Sequence, residues 1–173
     1  MKEIDFMKKI RTPISNETIN NLNVGDKILI SGTIFTGRDA VLPKLKEKIL
    51  SGKVEEVPFD LKGSVIMHTA VSDAGIAPTT SNKEEIESSI PELSHAGVKI
   101  HIGKGSLNDE TKQSLQDEGS IFVITPPVAA LLTKSVKSKK VVAYENEGIE
   151  AVFALEVENI PGIVAIAHGK SIY

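Results

Sequence analysis

The chain has 173 residues, with 20 Lys plus Arg set against 23 Asp plus Glu, and it contains no cysteine. A formal net charge of −3 offers no general attraction to nucleic acid or to an anionic membrane surface, so any anion binding must come from a local cluster. Without cysteine, the chain by itself can hold no disulfide framework, thiolate nucleophile or cysteine-ligated cluster.

Taken in chain order, residues 1–10 carry Glu3, Asp5, Lys8 and Lys9 and lack the apolar run of a signal peptide. The polar start, 2–23, predicts one short helix with Ser15 or Asn16 as N-cap and Glu17 in its first turn. Residues 27–35 (KILISGTIF) read as a strand stopped by Thr36-Gly37. Residues 38–50 follow as a helix with Leu42, Leu45 and Ile49 at helical spacing, and Pro43 implies that it starts late or starts with Pro43 in its first turn. Strands are then predicted at 64–71, 98–102, 120–125 and 140–144, and helices at 82–96, 108–117 and 127–136. Pro91 predicts an interruption in the first of these helices, Asn108 an N-cap for the second and Pro127 the start of the third. Residues 149–157 suit helix or strand equally, and 162–167 close the chain as a strand. The most apolar stretch, 121–132, is too short for a membrane span and is broken by Pro126 and Pro127. The alternation predicts one α/β domain, 1–173, with a mixed, largely parallel sheet flanked by helices and an N-terminal arm at 1–23. It reads as cytoplasmic.

Ligands of such sheets collect in loops beyond the carboxyl ends of the strands, and three strand-to-helix junctions are unusually polar. In Thr36-Gly-Arg-Asp-Ala40, Arg38 could offer a bidentate fork to a carboxylate, or could simply pair with Asp39 and cap the helix. In Pro78-Thr-Thr-Ser-Asn-Lys83, hydroxyls precede a helix N-terminus, where free N–H groups favour an anion. Capping by Ser81 or Asn82 explains one of these residues and leaves Thr79-Thr80 unexplained. In Ile102-Gly-Lys-Gly105, glycines flank Lys104, but the spacing is not that of a phosphate-binding P-loop. His68, His95, His101 and His168 lack metal-site spacing and read as structural; His101, alternating with Ile100 and Ile102, is expected on the less buried strand face.

In order, these pieces resemble one family. Ser31-Gly-Thr-Ile-Phe-Thr-Gly-Arg-Asp-Ala40 resembles the SG-x-I-x-T-A-R-D-A opening of the beta subunit of class I fumarases and L(+)-tartrate dehydratases. Val57-Pro-Phe-Asp-Leu-Lys-Gly63 is similar to its LPFDLKG, residues 78–81 to its GPTTS, and residues 102–105 to its IGKG. Glu150-Ala151, Pro161-Gly-Ile-Val164 and His168-Gly169 resemble its closing region.

The resemblance implies a swivelling α/β domain of an iron–sulfur hydro-lyase that hydrates or dehydrates a four-carbon dicarboxylate, with fumarate/malate as the leading case. It implies a four-iron four-sulfur cluster ligated by a cysteine-containing alpha subunit, and a homodimer within a hetero-oligomer that is active only when assembled. On the matching positions, Arg38 clamps a carboxylate, Lys104 assists it, Thr79 takes the proton, and Thr80 lies in the same pocket. Lys83 stands where the family usually has Arg, which keeps the charge and gives up the planar fork. Val41-Leu42-Pro43 stand where it usually has His, and the loop 70–76 is shorter than the family's. These departures leave a second reading, a non-catalytic paralogue of the same fold that binds a carboxylate or regulates a partner.

Overall fold

The computed structural model describes residues 7–77, 79–80, 82–125 and 133–173. Ten strands and four α-helices alternate over these residues: β1 (Lys8–Arg11), α1 (Asn16–Asn20), β2 (Lys27–Thr36), α2 (Leu42–Leu50), β3 (Val65–Met67), β4 (Val71–Ser72), β5 (Gly75–Ile76), α3 (Lys83–His95), β6 (Ile100–Gly103), α4 (Asp109–Glu118), β7 (Ile121–Ile124), β8 (Val136–Ala143), β9 (Val152–Ala167) and β10 (Lys170–Ser171).

Strands β1, β2, β3, β6 and β7 run parallel in that order. The long β9 then closes the sheet on itself. It lies antiparallel to β2 along one edge and to β7 along the other, and Ile163 pairs with both Lys27 and Ile124. The result is a five-stranded mixed barrel, β2-β3-β6-β7-β9, rather than an open parallel sheet between helix layers. Two local irregularities accommodate the closure. A register shift against β2 between Ile30 and Gly32 and a positive φ of 56° at Asn159 let one continuous strand bend around the barrel.

Strand parity sorts the side chains. Ile28, Ile30, Ile34, Val65, Met67, Ile100, Ile102, Ile121, Val123, Leu155 and Val164 fill the barrel interior. The alternate residues face outward, where Phe35 and Ile66 pack with Leu42 and Leu45 of α2 and Leu93 of α3, and Phe122 packs with Ile86, Ile90 and Leu115 of α3 and α4. The local start signals act at three helices, although α2 begins at Leu42 rather than at Arg38. Ser15 caps α1, Pro43 lies in the first turn of α2, and Asn108 accepts from the Thr111 N–H at the head of α4.

Several expectations are corrected. Residues before 24 supply β1 as well as α1, and Ile14, Ile19 and Leu22 join the core. The strand expected at 64–71 ends at Met67, and the following residues form the β4–β5 hairpin. Helix α3 runs unbroken through Pro91. Val136 opens β8, which reaches Ala143; the rest of the helix expected at 127–136 falls largely outside the described residues. The ambiguous segment resolves as a 3-10 turn, Glu145–Glu150, followed by β9. His101 is fully buried, because the outward face of β6 lies beneath α3 rather than against water. No helix of the described residues is long and apolar enough to cross a membrane.

Candidate active site

Parallel strands β2, β3 and β6 deliver their following loops to one rim of the barrel. Main-chain hydrogen bonds extend the ladder into these loops: Gly37 N–H donates to the Met67 carbonyl at 3.1 Å, and His68 N–H to the Ile102 carbonyl at 2.9 Å. A Cβ at Gly37 would lie 2.8 Å from Val41 Cγ2, so in this chain the glycine lets the loop pack closely on Val41, which would have to shift to admit a side chain.

The first loop presents Arg38, whose side chain is 26% exposed. Its Nη2 donates to Glu150 Oε2 at 3.3 Å, while Glu150 Oε1 accepts from the Ala40 N–H at 3.2 Å. Glu150 therefore grips the loop at two points and leaves the other face of the guanidinium free of described partners. Asp39 does not pair with Arg38; it accepts from Asn82 Nδ2 at 3.2 Å. The second loop is pinned where Thr80 N–H donates to the His68 carbonyl at 2.8 Å. The Thr80 hydroxyl accepts from the Asn82 N–H at 3.2 Å, and Asn82 Oδ1 accepts from Glu85 N–H at the head of α3. So Thr80 has a turn-forming role, whereas the hydroxyl of Thr79, half-buried beside it, makes no hydrogen bond to a described residue. Pro78 and Ser81 lie outside the described residues.

The third loop holds Lys104, exposed and without an ion pair among the described residues, followed by Gly105 at φ 85°. Lys83, the first residue of α3, donates to Ser106 Oγ at 3.1 Å and so joins the second loop to the third. Arg38, Thr79, Thr80, Lys83 and Lys104 thus occupy one rim, although no hydrogen bond between described residues joins these five directly. Beneath them, His68 and His101 are completely buried, and burial pushes the His68 pKa down to about 4 and that of His101 well below the usual imidazole value. His168 lies at the opposite end of the barrel, where its Nε2 binds the Leu22 carbonyl at 2.8 Å.

Sequence reasoning missed Glu150 as part of the rim, because its partner Arg38 is 112 positions away and no local pattern couples them. It also missed Ser106 and the Asp39–Asn82 bond. The Arg–Asp pairing weighed from the sequence is replaced by two longer-range contacts, one for each residue.

The described residues include no group of three His, Asp or Glu that could hold a metal, and the chain has no cysteine. This donor set does not fit a four-iron cluster.

Fold and rim together define a mixed α/β-barrel domain with cations and hydroxyls gathered on one loop face. The chain belongs to the Fumarase C-terminus family, whose model matches residues 1–173. It is 35% identical over 175 residues to a Methanocaldococcus jannaschii protein with the provisional name L(+)-tartrate dehydratase subunit beta, covering 92% of this chain and 88% of that one. It is 32% identical over 181 residues to the L(+)-tartrate dehydratase subunit beta of Escherichia coli, covering 96% and 87%. Against the anaerobic class I fumarate hydratase of Escherichia coli it is 28% identical over 168 residues, which span 92% of this chain but 29% of that longer protein. The chain is accordingly of the beta-subunit type among these hydro-lyases.

Proposed function

We propose that this chain supplies half of a dicarboxylate site in a hydro-lyase that reversibly adds water to, or removes it from, a four-carbon dicarboxylate, most simply fumarate and malate. The observation that carries this reading is the convergence of the Arg38, Thr79-Thr80 and Lys104 loops on one barrel rim, with Lys83 bridging two of them. A dianion needs fixed cations in a site from which water is excluded. Arg38, held from behind by Glu150, directs its free N–H groups at one carboxylate. Lys104 and Lys83 provide point charges for the other. Thr79 Oγ1 takes the proton from the carbon beside the leaving hydroxyl. A neutral hydroxyl is a poor base, so in this role Thr79 must first give its own proton to a neighbouring base; the Lys104 ammonium or another cation then stabilises the resulting alkoxide, which takes the substrate proton and returns to the hydroxyl form.

The other half of the site belongs to a cysteine-containing alpha subunit. A four-iron four-sulfur cluster is assigned to that partner, since this chain lacks donors for it. The barrel then acts as a swivelling cover that closes over the partner's surface, within a cytoplasmic hetero-oligomer containing two copies of this chain. One observation favours the non-catalytic reading. Val41, at the position where the family usually has His, is fully buried and contributes no polar group to the rim.

The test is to co-purify the tagged chain anaerobically with its partner and assay fumarate, malate and tartrate. Turnover that Arg38→Ala or Lys104→Ala reduces about a thousandfold, with assembly intact, supports the assignment; losing one clamped charge in a closed site is worth roughly 4 kcal/mol. An intact iron–sulfur complex without turnover on any dicarboxylate favours the regulatory paralogue. Appreciable hydration of fumarate by the isolated chain would refute the two-subunit site.

A further inference from the structure

Sequence alternation puts His101 on the outward face of β6, and α3 covers that face. There the Ser94 hydroxyl of α3 lies 2.8 Å from His101 Nε2, and His101 Nδ1 lies 3.4 Å from His68 Nε2. All three residues are buried, with His68 and His101 at 0% exposure. The chain Ser94–His101–His68 therefore runs from the helix layer to the first residue beyond β3 and stops there, because His68 Nδ1 is buried with no partner among the described residues.

The main chain around His68 is where the three rim loops meet. The Met67 carbonyl receives Gly37 N–H, the His68 N–H is given to Ile102, and the His68 carbonyl receives Thr80 N–H. The neighbours so fixed lie one residue from Arg38, two from Lys104 and one from Thr79. Buried polar groups are costly, and apolar side chains would fill the layer between sheet and helix more cheaply. A buried pair is therefore informative where it holds a particular conformation that apolar packing would leave loose.

We propose that the buried Ser94–His101–His68 chain is the positioning device of the substrate rim, with His68 the positioning residue that sets the Arg38, Thr79 and Lys104 loops relative to one another. The inference rests on the reading of the rim given above for its functional meaning, but not for its structural test. Both imidazoles are neutral at neutral pH, since burial depresses both pKa values. A neutral ring has one donor and one acceptor nitrogen, so each link fixes the tautomer of the next. Two arrangements satisfy the chain: either Ser94 donates inward and His68 Nδ1 ends as a donor, or all bonds reverse and Nδ1 ends as an acceptor. In both, the His68 ring is held in one orientation.

The experiment is amide hydrogen exchange on the full chain, comparing wild type with His101→Met, His101→Asn and Ser94→Ala. The Asn side chain overlays the imidazole Nδ1 and can keep the bond to His68; Met keeps the volume and loses both bonds. His101→Met should speed exchange at Gly37, His68 and Thr80 about tenfold, the effect of losing roughly one hydrogen bond, while the β1–β2 ladder keeps its protection. His101→Asn should restore most of the protection, and Ser94→Ala should show a smaller rim-limited effect if His101→Met proves too unstable to measure. Exchange that rises uniformly over the chain, does not change at the rim, or is equal in the Met and Asn variants overturns the inference. In the assembled complex, His101→Met should lower kcat/KM about tenfold with His101→Asn near wild type. A wild-type complex with no turnover would sink the hydro-lyase reading alone, leaving the exchange result to decide the positioning role.

Discussion

The barrel interior and the layer between the sheet and α3 are equally dry, yet they are built from different chemistry. Ile30, Ile34 and Ile102 inside, and His68 and His101 outside, are all at 0% exposure. The interior is dominated by apolar side chains from five strands that must fit one another to close the ring, with Thr36 at its rim bonded to the β9 main chain. The outer layer directly under the rim admits a hydroxyl and two imidazoles. Burial alone therefore does not reveal what a residue contributes. Inside, it stabilises the fold; beneath the rim, it holds three loops in register at a cost in stability.

The largest effect expected from this contrast is at the barrel interior. Ile30→Ala should destabilise the chain by about 3–4 kcal/mol, as a cavity between β2 and β9 that a closed barrel cannot collapse. Chemical denaturation measures it, and a loss below about 1 kcal/mol would mean that the ring is not rigid. Activity per folded molecule should change little, in contrast to the His101 variants.

Next in size is the pH dependence of stability. His68 titrates at about 4 when folded and at 6.5 when unfolded, so between these values the unfolded chain binds the extra proton. Stability is therefore fully present above about pH 6.5 and is lost as pH falls toward 4, by roughly 3 kcal/mol from this group alone. His101 is shifted in the same direction and adds to the loss. Denaturation midpoints from pH 7.5 to 4.5 test this, and a His68→Leu, His101→Leu double variant should flatten the profile. A profile as steep in the double variant would assign the loss to other groups.

The smallest effect is at the rim surface. Glu150→Gln keeps an oxygen for the Ala40 N–H and removes the charge facing Arg38. Stability should move by no more than about 1 kcal/mol, because both side chains are partly solvated. In the assembled enzyme KM should rise about two- to fivefold with kcat nearly unchanged, the signature of a loosened binding group rather than a lost reacting one. A larger fall in kcat than in affinity would place Glu150 nearer the chemistry than its geometry suggests.

Local features were legible wherever a few neighbouring residues decide the outcome. Ser15, Pro43 and Asn108 mark helix starts by satisfying or lacking an N–H within one turn, and the branched run before Thr36 favours the strand it forms. The polar junctions at Arg38, Thr79-Thr80 and Lys104 stand out for the same reason, and they do share one rim. Pro91 misleads because α3 is held by packing of Ile86, Ile90 and Leu93, which outweighs one missing donor. His101 misleads because strand alternation separates two faces without saying which of them meets water.

By itself, the sequence determined the α/β alternation, the caps, the absence of cysteine ligands and the polar strand-to-helix loops, since these depend on residue types within a turn or two. Only the tertiary structure decided that β9 closes the sheet into a barrel, that Glu150 rather than Asp39 holds Arg38, and that His68 and His101 meet beneath the rim. Those outcomes depend on contacts between residues 33 to 136 positions apart (Lys27 and Ile163 being the most distant pair), and on which face a helix layer covers. No local pattern encodes them, because the free energy that selects them is the burial of the whole assembled layer.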